Sequence, residues 1–320
     1  MPRQPGQKRR HAGLKGPGLS DAARQRIYAM LGARSPRTAV RALYRDFCTP
    51  PRFGPGAEAE ARLVEKMTPL FARAEQRFVP MGRQRVATYL WKPSARPAVG
   101  RVLLVHGWTG RAMIMGLFVE PLLRAGYEVV ALDFPAHGRS TGQRLNMPIG
   151  KEAILAVGAE LGPFTAAISH SFGGPVLALV TDEGPPLPRS LRFDRLVLIA
   201  SPNRLTAMID AFARRFALPL ELSQGLAQRV EQAAGRPLAD VAVDRFLPAS
   251  RVPTLLIRAR DDEDVPYERA TTILAQSPNA HLLSLDGLGH RHIVISSTVV
   301  RAAIGFIGGK VPDGAESGGR

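Results

Sequence analysis

The seven residues Ile168-Ser169-His170-Ser171-Phe172-Gly173-Gly174 decide how the chain is read. An apolar strand-like run, Pro163 to Ile168, leads into them, and a helix-like run, Gly174 to Val180, leads out. A strand that turns at once into a helix forces its corner residue into a strained backbone conformation, which small flanking residues make tolerable. Ser169 and Gly173 are those small residues and Ser171 is the corner. Its hydroxyl then projects above the end of the sheet, and the amide of Phe172 points into the same space from the helix N-terminus. The string is a variant of the Gly-x-Ser-x-Gly nucleophile elbow, with Ser169 in place of the first glycine. Alone, it also fits an ordinary strand-to-helix turn.

The flanking sequence repeats the strand-helix alternation. Val102 to Val105 and Glu128 to Leu132 are continuous apolar runs, as expected of strands covered on both faces. Between them Ala112 to Ala125 has a helical pattern, and a further helix is expected near Lys151 to Leu161. Leu196–Ile199, Thr254–Ile257 and His281–Ser284 complete the strands, and Phe78–Pro80 with Val86–Trp91 around Gly82 reads as a hairpin. Parallel strands need helical crossovers, so this order specifies an α/β fold with a doubly wound, mostly parallel sheet. Ligands bind such sheets beyond the carboxyl ends of the strands. One segment, about 203–248, has helical patterns and no strand; inserted between two sheet strands, it reads as a helical cap over Ser171.

Residues 1–18 are rich in Pro, Gly, Arg and Lys and are expected to form a disordered basic tail. Residues 19–76 form an N-terminal helical extension: Ser20 and Asp21 cap a helix to about Leu31, and Val40, Leu43, Tyr44 and Phe47 lie at helical spacing suited to packing on the domain. The main domain is expected over 77–308, and 309–320 as a disordered C-terminal tail. At 320 residues and 45% hydrophobic content, the chain suits one domain with decoration. The formal charge of +16 raises the question of nucleic acid or an anionic surface. The basic residues are mostly arginine and scattered, which makes nucleic acid an unlikely partner and leaves a nucleic-acid-binding tail as an alternative. The single cysteine, Cys48, cannot form an internal disulfide. No export signal is readable after Lys8-Arg9-Arg10 and no run approaches the ~18 apolar residues of a span, so we expect no membrane span and a cytoplasmic location.

The loops after the strands carry the candidate chemistry. His106-Gly107-Trp108-Thr109-Gly110 follows the first buried strand; its glycine allows the backbone to turn beneath a substrate, with the Trp108 amide opposite that of Phe172. His106 is read as holding this loop and Trp108 as a pocket wall. Asp133 to Gly142 reads as a rigid loop in which Asp133, His137 and Ser140 serve as support. Arg258 to Pro266 contains four consecutive acids, Asp261 to Asp264, at a strand's carboxyl end, where the third member of a triad belongs. Gly289-His290-Arg291-His292 follows the last strand, and a histidine there can reach Ser171 with one ring nitrogen and an acid with the other. The chain order is serine, acid, histidine.

Over roughly Arg77 to Gly308 the sequence resembles the α/β-hydrolase superfamily, in its cofactor-independent serine esterase and lipase-like branch. The His-Gly-Trp loop, Asp133 to Gly142, the serine elbow, Asp262-x-x-Val265-Pro266 and Gly289-His290 all stand in family order. The resemblance implies Ser171 as nucleophile, His290 as general base, Asp262 as its orienting acid, and the amides of Trp108 and Phe172 as oxyanion donors. Asp261 and Asp264 are the alternative acids, and His292 the alternative base. No metal cluster or dinucleotide fingerprint is visible, so neither metal nor cofactor is expected. The implied activity is hydrolysis of a carboxylic ester or related small acyl substrate. Acyl transfer and thioester hydrolysis would use the same triad, and a non-catalytic protein on this scaffold is the alternative of another class. Acyl length and oligomeric state are not legible.

Overall fold

The computed structural model describes residues 19–51, 57–94, 97–184 and 187–319. The tail expected at 1–18 lies outside them. Nine strands form one sheet: β1 (Glu75–Met81), β2 (Gln84–Trp91), β3 (Gly100–Val105), β4 (Tyr127–Leu132), β5 (Ala166–His170), β6 (Arg195–Ile199), β7 (Thr254–Ala259), β8 (Ala280–Leu285) and β9 (Glu316–Ser317), in the order β1-β2-β4-β3-β5-β6-β7-β8-β9. Strands β4 to β8 in that order run parallel, whereas β1, β2 and β9 pair antiparallel. From β3 the chain steps to β4 on one side and then crosses to β5 on the other. The loops after β3 and β5 therefore leave the sheet side by side, at its switch point.

Side-chain alternation explains why the central strands read as unbroken apolar runs. On β3, Leu103 and Val105 enter one core and Val102 and Leu104 the other; on β6, Leu196 and Leu198 oppose Val197 and Ile199. The first core is covered by α5 (Met147–Leu161), α6 (Gly173–Val180) and α10 (Glu268–Gln276). The second is covered by a 3-10 segment (Ala112–Phe118), α4 (Val119–Arg124) and α12 (Ser297–Ile307), with α3 (Ala57–Ala72) adding Met67, Leu70 and Phe71. Helix α5 begins before the expected Lys151. Asn146 caps it by accepting from the Ile149 amide at 2.9 Å, and Pro148 sits in its first turn, where the missing N–H costs nothing.

The N-terminal helices pack on the insertion. Ser20 caps α1 (Asp21–Arg34), and α2 (Pro36–Phe47) buries Leu43 against α8 (Leu220–Ala234). Aromatic rings lock the two segments together: Tyr28 meets Phe216 at 5.4 Å and Phe47 meets Phe212 at 5.4 Å, both edge to face. The insertion itself holds α7 (Leu205–Arg215), α8 and α9 (Val243–Ala249). It leaves from the carboxyl end of β6 beside Ser171, and its body packs on α2, α5 and α6.

The expectation of a disordered tail over 309–320 is corrected for residues 309–319. Strand β9 pairs with β8 at Leu282 and His281, and the Gly318 amide donates to the Ala280 carbonyl at 2.8 Å. The segment's polar composition hid this, because an edge strand is recruited by backbone donors and acceptors rather than by its side chains.

Phe216 is buried among Tyr28, Phe212 and the guanidinium of Arg215. Phe216→Ala is expected to cost about 3–5 kcal/mol, measured as a lowered urea midpoint. A loss below about 1 kcal/mol would mean that α1 and the insertion are not joined through this ring.

Candidate active site

Ser171 closes β5 with φ of 49°, in the left-handed region that residues with a Cβ rarely enter. The geometry is held at both ends: its amide donates to the Ile199 carbonyl at 2.9 Å, and its own carbonyl accepts from the Gly174 amide at 2.9 Å. Three glycines make room. A Cβ on Gly107 would lie 2.8 Å from the Ser171 Cβ, one on Gly173 would lie 2.8 Å from the His106 carbonyl, and one on Gly174 would come within 2.5 Å of the Ser201 Cβ. Ser169, where the elbow pattern has glycine, is fully buried and turns its hydroxyl to the Val197 carbonyl at 3.4 Å. Its Cβ is therefore accommodated within the sheet.

The structure brings Ser171, His290 and Asp262 into one line. His290 Nε2 lies 2.9 Å from Ser171 Oγ, and its Nδ1 lies 2.9 Å from Asp262 Oδ2. The other carboxylate oxygen, Oδ1, accepts from the amides of Val265 at 2.8 Å and Asp264 at 2.9 Å. Asp262 is 6% exposed. Burial pushes its carboxyl up, but the hydrogen bond from His290, its charge and the two amides outweigh this and hold it below the usual range. The rival acids do not meet the ring: Asp264 contributes its amide to Asp262, and Asp261 Oδ2 accepts from the Gly289 amide at 3.1 Å. His292 is exposed.

Trp108 and Phe172 face one another, with ring centroids 5.6 Å apart, and neither backbone amide donates a hydrogen bond among the described residues. Trp108 is half-buried and also packs on the ring of His137. His106 does what the sequence suggests: Nδ1 donates to the Gly107 carbonyl at 2.7 Å and Nε2 accepts from the Phe134 amide at 2.9 Å, tying the loop after β3 to the loop after β4. Asp133 is buried as a hub, accepting from the amides of Ala112 and Arg139 and from the Tyr89 hydroxyl. Ser140 donates to the Asp133 carbonyl and accepts from the Ala87 amide. His170 was not singled out from the sequence, yet its Nε2 donates to the His290 carbonyl at 2.9 Å. Its place directly before the corner serine was the only signal. Arg258, also passed over, is 1% exposed and donates to Asn203 Oδ1 at 2.6 Å. Among the described residues no cluster of His, Cys, Asp and Glu could hold a metal ion, and no helix is long and apolar enough to cross a membrane.

The model of the alpha/beta hydrolase family matches residues 102–302. A monoacylglycerol lipase from Mycolicibacterium smegmatis is 30% identical over 113 residues, a match that covers 33% of this chain and 40% of the lipase. Among solved structures, the esterase Est2 from Thermogutta terrifontis is similar with a TM-score of 0.57 at 18% identity, covering 75% of this chain and 97% of that one. Est1E from Butyrivibrio proteoclasticus, determined with ferulic acid, is similar with a TM-score of 0.53 at 20% identity, covering 72% and 96%. At such identities the likeness is one of fold.

Burial holds three histidines of this region neutral: it pushes His106 and His170 down to about 4 and His137 to about 3, from an ordinary 6.5. The unfolded chain thus binds more protons below about pH 6.5, so the stability contributed by these groups is complete above that value and is lost as pH falls toward 4. Asp133 works in the opposite sense, because burial raises its carboxyl. With three groups against one, the thermal midpoint should fall steadily between about pH 6.5 and about pH 4, at up to about 1.4 kcal/mol per pH unit for each imidazole. A flat midpoint across that window would contradict three neutral buried rings.

Proposed function

The chain belongs to the alpha/beta hydrolase family, and from that premise we propose that it hydrolyses a carboxylic ester through Ser171, His290 and Asp262. The observation that carries this reading is the unbroken run Ser171 Oγ, His290 Nε2, His290 Nδ1, Asp262 Oδ2, with both gaps at 2.9 Å. Ser171 Oγ attacks the ester carbonyl carbon while its proton passes to His290 Nε2. Asp262 holds the ring by its Nδ1–H and compensates the imidazolium that forms. The oxygen of the tetrahedral intermediate takes the free amides of Trp108 and Phe172. Collapse breaks the bond to the alkoxy group, which leaves with the His290 proton as an alcohol. Water then gives a proton to His290 and attacks the acyl-serine, and return of that proton to Ser171 Oγ releases the acid.

In this reading Trp108, half-buried beside Phe172, is a wall of the substrate pocket. The substrate of this reading is a small acyl ester, and the chemistry asks for no cofactor. Transfer to an alcohol or thiol in place of water would use the same three groups, and product analysis with competing nucleophiles separates the outcomes.

Ser171→Ala should lower turnover of short p-nitrophenyl esters by at least about a thousandfold and abolish labelling by a fluorophosphonate, with the thermal midpoint little changed. Undiminished labelling in the variant would remove Ser171 from the role.

A further inference from the structure

His290 sits on a segment held on its far side by Ile293 and Val294, which are buried in the second core, and lightly on its near side. The pairing of β8 with β7 ends at Leu285, and Asp286 and Gly287 are exposed. Gly287 and Gly289 both have positive φ, at 72° and 52°, so the approach to His290 is made of the least restrained backbone available. The single helical turn Gly289–His292 that follows is too short to be rigid by itself. A general base must nevertheless meet the serine hydroxyl to within a fraction of an ångström, since a displacement of about 1 Å costs about a hundredfold in rate.

We propose that His170 is the positioning residue that anchors His290, by a hydrogen bond from its ring to the His290 backbone carbonyl. The inference rests on the triad reading for its consequence in catalysis, though not for the contact itself. His170 is the last residue of β5, between β3 and β6, and every residue of that strand is buried. Its ring is 7% exposed and lies 5.2 Å from the His290 ring, centroid to centroid. The 2.9 Å contact from Nε2 goes to a carbonyl, which can only accept, so the proton is on Nε2. Nδ1 then carries a lone pair. That atom is buried without a partner and lies against Gly107, where a Cβ would stand 3.4 Å from it. Turning the ring over would put the Cε1–H in place of the Nε2–H, and moving the proton to Nδ1 would bring a lone pair against the carbonyl, so the bond selects both the orientation and the tautomer.

The other side of His290 is gripped as well. Asp261 Oδ2 holds the Gly289 amide at 3.1 Å, so the backbone is tied at the N–H of the Leu288–Gly289 peptide before His290 and at the C=O of the His290–Arg291 peptide after it, while Asp262 holds the ring. Asp261 is exposed and His170 is not, which makes the buried contact the stronger anchor. The nucleophile and the group that positions its base are thus consecutive residues, Ser171 and His170, on one central strand.

The test compares His170→Ala and His170→Leu, which lack the donor, with His170→Gln, whose side-chain N–H can reach the same carbonyl. Either donorless variant should lower kcat for p-nitrophenyl butyrate by about 10- to 100-fold with KM within about threefold, and should speed hydrogen–deuterium exchange in the peptide spanning 286–296. His170→Gln should recover most of kcat and slow that exchange again. Donorless variants with kcat within threefold of the wild type and unchanged exchange would overturn the anchor while leaving the triad intact. So would a glutamine variant as impaired as leucine. A wild-type protein with no esterase activity and no fluorophosphonate labelling would overturn the proposed function instead, and the exchange measurement alone would then decide whether His170 holds the segment.

Discussion

A single backbone residue, Ser171, must stay in the left-handed region at the end of β5, and the surrounding loops are shaped by that requirement. Such a conformation costs of order 1–3 kcal/mol in a residue with a Cβ and persists only where neighbours over-determine it. Here they are two hydrogen bonds to its peptide and three glycines that keep the loops clear. The strain is shared by a pattern: Thr109 after β3, Ala136 after β4, Ser171 after β5 and Ala200 after β6 all have φ between 48° and 67°. Two of them, Ser171 and Ala200, stand directly at their strand ends, and the other two lie in the loops that leave the neighbouring parallel strands β3 and β4. The two buried cores beneath them supply the stability against which such costs are set.

The polar groups beneath the site divide into those that fix loops and those that meet the run Ser171–His290–Asp262. His106 and Asp133 are of the first kind, since their hydrogen bonds go to the backbone of the loops after β3 and β4 and to the Tyr89 hydroxyl. Burial keeps both His106 and His170 uncharged, so neither competes with His290 for the negative charge of Asp262. An acid that is buried, bonded to two amides and paired with one imidazole has a single anionic role. Asp261 and Asp264, one and two residues away, point elsewhere because the turn after β7 directs only Asp262 toward the ring.

Much of this was legible in the sequence because the signals were local. Apolar runs such as Val102 to Val105 announce a strand buried on both faces, and Asp262 and His290 follow strands whose carboxyl ends are fixed by the alternation. Contacts made by backbone atoms left no such mark. Nothing in the string Ser169-His170-Ser171 says that the histidine reaches a carbonyl on a loop 120 residues away. The polar residues after Gly309 likewise gave no hint of strand β9, whose pairing depends on an open edge of β8. Side-chain patterns report burial and chemistry, whereas backbone satisfaction is settled only when the chain closes on itself.

Arg258 shows position taking precedence over stability near the end of β7. Its guanidinium is buried, bonded to Asn203, and has Nε and Nη1 without a hydrogen-bond partner among the described residues. Burial pushes it down to about 10, while the charge of Asp262 pulls it back up. A packed apolar residue would be easier to bury at that position, since a buried ion is weak evidence for stability. It would, however, remove a cation whose charge couples to Asp262, leaving the two amides and the His290 ring to hold the carboxylate. The guanidinium, on β7 four residues before Asp262, attracts that carboxylate whether or not the imidazole is protonated. Through Asn203, it also ties the root of the helical insertion to the strand that carries the acid.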